Sequence, residues 1–214
     1  MSSHEITQEN SREDQSVLFS TICDDLHVQS YSVQHLALPK TLINLLHDRV
    51  TGQDVPIYKT AGIGRSVEHH LNQNIRRDEI SWIGGGPGLV NGLADDEWLK
   101  WTEALRLDLN RQLFLGLVPI ESHYARYEKG GFYKRHVDAF TGSNNRKVSL
   151  VLFLNAFWKN TDKGELRLFV GEDSKDEILI TPKLGTLVIF LSDEIPHEVL
   201  STFSIRHSIA GWYR

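Results

Sequence analysis

His136 and Asp138 stand two residues apart in the stretch Tyr133-Lys134-Arg135-His136-Val137-Asp138-Ala139-Phe140. Side chains on an extended strand repeat every two residues, so an imidazole and a carboxylate at this spacing project from one face and can take a divalent metal together. The pair alone carries little information. With 10 His and 28 acidic residues in 214, a His followed two positions later by a carboxylate arises about once by chance. In isolation it reads as a half-buried edge-strand His beside a solvated Asp. What converges on it from the C-terminal third changes that reading.

His197 lies in Ser192-Asp193-Glu194-Ile195-Pro196-His197-Glu198-Val199, directly after the apolar run Leu184 to Leu191, and Arg206 opens the last run, which ends at Tyr213. With strand alternation, Arg206, Ser208, Ala210 and Trp212 share one face there, and His207, Ile209, Gly211 and Tyr213 the other. An Arg on the inner face of a closing strand is costly to bury unless it meets an anion. A planar, permanently charged guanidinium suits a carboxylate, which it can hold through two parallel hydrogen bonds. Two His and one carboxylate serve zinc as well as iron, so the ligand types alone leave the metal open.

The elements that must position these residues are legible in part. Residues 1–15 are polar without apolar periodicity and are expected to form a disordered tail; Ser16 to Val33 is mixed and left unassigned. From Pro39 to Val50, Leu42, Ile43, Leu45, Leu46 and Val50 recur at helical spacing, with Gly52 as a stop. Val55 to Asp78 carries Gly62 and Gly64, then Arg65, Arg76, Arg77 and the adjacent His69 and His70, and reads as a basic surface segment; neighbouring histidines face different ways on any regular element. A short strand at Glu79–Ile83 runs into Gly84-Gly85-Gly86-Pro87-Gly88, which lacks the dinucleotide spacing and reads as a turn. Asp95-Asp96-Glu97 opens a second helix with the stripe Trp98, Trp101, Leu105, Leu109, Leu113, suited to covering a sheet. After Pro119 come the short runs Tyr124 to Tyr127, Val148 to Leu154, Glu165 to Val170, Glu177 to Thr181, Leu184 to Leu191 and Arg206 to Tyr213, all of strand length. Helices followed by many short strands predict an α+β, mainly β fold with a jelly roll as its body.

Composition bounds the rest. The 214 residues suffice for one well-buried domain, expected over 16–214, with helical support over roughly 38–115 and a jelly-roll core over roughly 120–214. A net charge of -5 gives no global attraction to nucleic acid or anionic membrane. Cys23, the one cysteine, can form no intrachain disulfide and excludes a cysteine-rich zinc site. No 18-residue apolar run and no signal-like N-terminus occur, so the expectation is a cytoplasmic protein with neither a nucleic-acid nor a membrane partner.

The chain also resembles a known family. His136-x-Asp138, His197 and Arg206, with Tyr127, Tyr133-x-Arg135, Leu154-Asn155, Gly164-x-Leu166-Arg167-x-Phe169, Pro182, Phe190-x-Ser192, Pro196-His197-Glu198-Val199 and Arg206-x-x-Ile209-x-x-Trp212-Tyr213, are similar to the Fe(II)/2-oxoglutarate-dependent oxygenases of the prolyl 4-hydroxylase branch. The nearest likeness is to the prolyl hydroxylases acting on hypoxia-inducible factor and their bacterial relatives. Ile75 to Ile83 extends it upstream, so the coverage runs from about Ile63 to the C-terminus. The resemblance implies a double-stranded β-helix with helices packed on one sheet. It implies Fe(II) held by His136, Asp138 and His197, with 2-oxoglutarate and O2 as cosubstrates and ascorbate as a stimulant. Arg206 would hold the distal carboxylate of 2-oxoglutarate and Tyr127 would hydrogen-bond it, while Tyr133, Arg135 and Trp212 would lie on the substrate side. Arg206 thereby favours iron with a dicarboxylate over hydrolytic zinc. Oxidative decarboxylation to succinate and CO2 would supply the oxidant for hydroxylating a proline in a loop of another protein, with a translation-related target by likeness to bacterial members. The basic segment 63–78 corresponds to the family's loop over the protein substrate. Three departures stand out: Leu152 where the animal enzymes carry Tyr, implying a missing cosubstrate hydrogen bond, and Arg77 and Lys163 in place of glycines. Two competing readings are a hydroxylase of a free amino acid or small metabolite, and a non-catalytic jelly-roll binding or oxygen-sensing module.

Overall fold

The computed structural model describes residues 3–62, 74–84, 92–139 and 146–214. Three helices support two facing β-sheets. Helix α1 spans Ser3–Gln29, and so crosses both the expected tail over 1–15 and the unassigned stretch after it. Its anchor is the buried stripe Phe19, Ile22, Cys23 and Leu26, at three- and four-residue steps. No Pro or Gly interrupts the chain between Ser3 and Gln29, so nothing local stops the helix from continuing N-terminally beyond that anchor.

Helix α2 (Lys40–Thr51) lies where the periodicity places it, with Pro39 as N-cap, Gly52 as C-cap, and Leu42, Ile43, Leu46 and Val50 buried. Helix α3 (Leu93–Leu113) starts two residues before the acidic cluster. The Gly92 amide donates to Asp95 Oδ2 at 3.1 Å, which satisfies one of the unpaired donors of the first turn. Trp98, Trp101, Leu105 and Leu109 are buried as the stripe requires.

The strands, in chain order, are β1 (Tyr31–Gln34), β2 (Lys59–Thr60), β3 (Glu79–Ile83), β4 (Glu121–Tyr127), β5 (Tyr133–His136), β6 (Val148–Phe153), β7 (Leu166–Val170), β8 (Asp176–Ile180), β9 (Leu187–Leu191), β10 (His197–Val199) and β11 (Arg206–Tyr213). They form a seven-stranded sheet in the order β1-β9-β6-β11-β4-β3-β2 and a four-stranded sheet in the order β5-β10-β7-β8, with every pair of neighbouring strands antiparallel. The two sheets with their helical layer are the double-stranded β-helix expected from the sequence.

Alternation along the large sheet divides its side chains between two cores. On one face Tyr124, Leu150, Leu152, Ile189, Ile209 and Tyr213 pack against the helices. Polar tips on this side find helix partners: the Tyr213 hydroxyl donates to Thr102 O at 2.7 Å, the Tyr124 hydroxyl to Asp95 Oδ1 at 2.6 Å, and the Trp98 indole to Ser122 Oγ at 3.1 Å. The other face, with Ala125, Tyr127, Phe153, Val188 and Phe190, meets Leu166, Leu168, Ile180 and Val199 of the small sheet. The inter-sheet space is closed at one side by chain that changes sheets. Asn74–Asp78 bonds to the small sheet, through Lys134 N to Ile75 O at 2.9 Å and Arg77 N to Phe132 O at 2.8 Å, and then continues into β3 of the large one. Residues 63–73, with His69 and His70, and residues 85–91, with most of the glycine cluster, lie outside the described residues.

Candidate active site

Strand β10 carries His197 and strand β5 carries His136, and the antiparallel register makes the two direct partners. Their ring centroids are 4.2 Å apart. Each Nδ1 lies against a backbone carbonyl of its own chain segment, His136 on Lys134 O at 2.8 Å and His197 on Ile195 O at 3.1 Å. A carbonyl only accepts, so Nδ1 carries the proton and Nε2 presents its lone pair. Both Nε2 atoms approach the Asp138 carboxylate, at 3.6 Å from Oδ1 for His136 and 3.5 Å from Oδ2 for His197. One ligand atom from each of the three lies within 4.8 Å of the other two, as a single metal ion requires.

Asp138 reaches this position by a route different from the one its spacing implies. Strand β5 ends at His136, and Asp138 sits in a bend beyond it rather than on the strand face. Its carboxylate accepts a hydrogen bond from Ser149 Oγ of β6 at 2.7 Å. Burial pushes the Asp138 carboxyl up, but the His197 and His136 imidazoles outweigh it and hold the group well below the usual carboxylate range. The indole N–H of Trp212 points towards the same carboxylate without completing a hydrogen bond of ordinary geometry. Burial lowers the His197 pKa to about 4 against the opposing pull of Asp138, which keeps its imidazole neutral. A neutral His197 imidazole and an ionised Asp138 carboxylate are in the donor state that a divalent metal needs.

The triad opens on a cavity of about 340 Å³ between the sheets. Arg206, Ser208, Ala210 and Trp212 of β11 all line it, as alternation predicts, together with His123, Ala125 and Tyr127 of β4. Arg206 is 1 % exposed. Its Nε donates to Gly164 O at 2.9 Å and its Nη1 to Ser208 Oγ at 3.2 Å, and no carboxylate pairs with it among the described residues. Burial pulls its pKa down, yet a guanidinium stays charged at neutral pH. The rings of Tyr127 and Phe153 each stand 5.0 Å from that guanidinium. Burial keeps the Tyr127 phenol protonated, and its hydroxyl makes no hydrogen bond among the described residues. A buried cation lacking a counter-anion, beside an uncommitted phenol, fits the carboxylate end of a small diacid.

At the other end of the cavity Tyr133 stacks on His136, with centroids 3.6 Å apart at 15°, and Arg76 lies over Tyr133 at 4.4 Å. Arg76 is held by Asp78 through Nε at 2.7 Å and Nη2 at 2.6 Å. Trp82, His123 and Trp212 form a second aromatic group, with His123 centroids 5.1 and 5.4 Å from the two indoles, and Arg146 lies 3.6 Å over Trp212. Arg135, expected on the substrate side, does not line this space. Its guanidinium covers Phe169 at 3.8 Å instead.

The departure at Leu152 is relocated by the structure, and the residue that faces inward, Phe153, likewise offers no hydroxyl. Leu152 belongs to the core against the helices, and the inward neighbour is Phe153. Of the two replaced glycines, Lys163 has a φ of 56°, a conformation that favours glycine, whereas Arg77 has no such backbone. His123, Arg76, Arg146 and Ser149 escaped the sequence reading. His123 was accessible to it, because it shares the two-residue phase of Tyr127.

Residues 122–214 match the 2OG-Fe(II) oxygenase superfamily. A prolyl-4-hydroxylase of Pseudomonas putida superposes with a TM-score of 0.80 at 38 % identity, over 92 % of this chain and 98 % of that one. The chain therefore belongs to the 2OG-Fe(II) oxygenases, with His136, Asp138 and His197 as its Fe(II)-binding triad. Within them it is similar to prolyl hydroxylases. Over 149 residues it is 31 % identical to the prolyl hydroxylase EGLN3 of Mus musculus, covering 66 % of this chain and 59 % of the relative. Over 157 residues it is 29 % identical to the hypoxia-inducible factor prolyl hydroxylase of Caenorhabditis elegans, covering 68 % of this chain. The matched part spans only 20 % of that relative's length.

Proposed function

We propose that the protein hydroxylates a prolyl residue in a loop of another protein, using Fe(II), 2-oxoglutarate and O2 and releasing succinate and CO2. The observation that carries the cosubstrate assignment is Arg206, a buried charge without a carboxylate partner among the described residues, on the same β11 face that runs past the triad. His136, Asp138 and His197 would hold the iron, and Arg206 with the Tyr127 hydroxyl would bind and orient the distal carboxylate of 2-oxoglutarate. Iron with bound 2-oxoglutarate supplies the O2-dependent oxidation of a C–H bond. The chain's own residues bind, orient and keep water out. Leu166 and Val199 close the apolar sides, and the Nδ1 bonds to Lys134 and Ile195 keep each imidazole in the ligating tautomer.

The charges around the cavity support a peptidyl rather than a free amino acid substrate. Among the described lining residues Asp138 is the single carboxylate, and it is committed to the metal. The ammonium of a free amino acid would find no uncommitted carboxylate among these lining residues. A prolyl residue within a chain carries no such charge. The aromatic faces of Tyr133 and Trp212 suit its ring.

Among the described residues no helix is long and apolar enough to cross a membrane. A cytoplasmic location and a translation-related target complete the reading, the second by the sequence resemblance to bacterial members of the branch. The experiment is succinate release from 2-oxoglutarate by anaerobically iron-loaded protein once air is admitted, with and without lysate proteins, while prolyl peptides are searched for the mass of one added oxygen. Lysate-stimulated turnover with a modified proline is the expected result. Stimulation by free amino acids instead would transfer the activity to small molecules, and silence with iron and 2-oxoglutarate bound would leave a binding module.

A further inference from the structure

The two histidine ligands are fixed by their own strands, but Asp138 is not. It lies two residues past the end of β5, in a bend, where no ladder hydrogen bond sets the direction of its side chain. What reaches it is the opposite sheet. Ser149, in central strand β6 and 1 % exposed, places Oγ 2.7 Å from Asp138 Oδ2. Behind it, 2.8 Å from the same Oγ, is the hydroxyl of Ser192, fully buried just past the end of β9. Ser192 is itself pinned: its amide donates to Lys147 O at 2.9 Å, and its carbonyl accepts from the Ala139 amide at 3.2 Å, one residue after Asp138.

The directions of these bonds are determined. A carboxylate that ligates a metal is ionised and only accepts. Ser149 therefore spends its one proton on Asp138, and the bond between the serines must run from Ser192 to Ser149. The chain reads Ser192 O–H to Ser149 O–H to Asp138, without an alternative proton order. Donation into Ser149 polarises its own O–H and strengthens the bond to the carboxylate.

We propose that Ser149 is a positioning residue of the metal centre, with Ser192 as its orienting partner. Together they hold the plane of the Asp138 carboxylate so that it meets the metal alongside His136 and His197. The histidines belong to the small sheet and the serines to the large one, so a metal held by all three ligands joins the two sheets across the mouth of the cavity. The inference rests on the metal centre and not on the nature of the substrate.

The test is titration of the metal-free full chain with Co(II), read by its visible d–d absorption, beside the unfolding midpoint of the same metal-free samples. The expected result is that Ser149→Ala weakens Co(II) binding about tenfold or more and alters the band shape, as loss of a hydrogen bond to a metal ligand does elsewhere. Ser192→Ala, which removes only the polarising donor, should weaken it by about threefold. Ser149→Thr keeps the hydroxyl and should restore wild-type affinity to within about twofold. Co(II) affinity unchanged in both alanine variants, with or without a fall in unfolding midpoint, would reduce the serines to core packing and overturn the proposal. So would equal losses for Ser149→Thr and Ser149→Ala. Should Ser149→Ala not fold, Ser192→Ala decides, and wild-type affinity in it overturns the relay. Wild-type protein that takes up no Co(II) removes the metal centre itself, and the proposal with it, an outcome distinguishable because it appears before any variant is compared.

Discussion

His136 and His197 are cross-strand partners in the antiparallel pair of β5 and β10, with imidazoles 4.2 Å apart. That register, more than any local motif, makes the metal centre. Sixty-one positions of sequence separate the two residues, and only pairing of a four-residue strand with a three-residue strand brings them together. The arrangement is exposed to single substitutions at either end. His136→Ala should abolish succinate formation and lower Fe(II) affinity, leaving the unfolding midpoint of the metal-free chain close to wild type because His136 is only partly buried. Succinate release equal to wild type would remove His136 from the metal.

Arg206 makes a different prediction, because no carboxylate pairs with it among the described residues. Removing one member of a buried, charge-assisted bidentate pair costs roughly 3 kcal/mol, about a hundredfold in affinity. Arg206→Ala should therefore raise the 2-oxoglutarate concentration for half-maximal turnover about a hundredfold, with Co(II) affinity retained. Arg206→Lys should recover part of the loss, since a point charge reaches a carboxylate without the planar fork. The measurement is 2-oxoglutarate dependence of succinate release beside ligand-induced thermal shifts. A wild-type requirement in Arg206→Ala would place the diacid elsewhere.

Much of this site was legible because two periodicities survive in the sequence. Alternation in β11 separates Arg206, Ser208, Ala210 and Trp212 from Ile209 and Tyr213, and the structure sends the first set to the cavity and the second to the helices. The stripes of α2 and α3, and the bounds of β3, follow equally from local pattern. The failures have physical causes. Strands β2 and β10, two and three residues long, have too few alternations to register, and form because neighbours supply their partners. Asp138 was placed on a strand that stops short of it, and its orientation comes from Ser149 in the other sheet, which no spacing within the stretch encodes. Leu152 was assigned by alignment with relatives, while the pleat of β6 makes Phe153 the residue that faces Arg206.

Lys163 offers a stability prediction at the rim of the same site. Its φ of 56° with ψ of -144° is a combination in which a side chain is strained, and its carbonyl accepts from the Trp158 indole at 2.9 Å. Relieving such strain is worth about 1–2 kcal/mol. Lys163→Gly should raise the urea midpoint accordingly without changing 2-oxoglutarate dependence. The neighbouring Gly164 behaves oppositely: at φ +71° an added Cβ would lie 2.9 Å from Thr202 and 3.3 Å from Arg206 Cδ. Gly164→Ala should both destabilise the fold and raise the 2-oxoglutarate requirement. Equal behaviour of the two variants in urea would separate neither backbone from the other.

Acid should unfold the metal-free protein earlier than its carboxylates require, because of buried histidines, two of them in addition to the metal ligand His197. Burial lowers the His123 pKa to about 4, against the attraction of Asp78, and burial together with Arg126 and His47 lowers the His207 pKa to about 4. Both are neutral when folded and take up a proton near 6.5 when unfolded. The unfolded state binds more protons throughout that interval, so stability rises with pH across it and is lost as pH falls from about 6.5 towards 4. For His123, 3 % exposed, the full effect is on the order of 3 kcal/mol. Asp138 acts in the same sense but over a lower range, its contribution being lost only as pH falls through and below the ordinary carboxylate range, so the early loss belongs to the imidazoles. His123→Met, similar in volume and uncharged, should flatten the pH dependence of the urea midpoint between pH 6.5 and 4 and leave it unchanged above pH 7. A slope as steep as wild type in that variant would show that protonation of His123 is not coupled to unfolding.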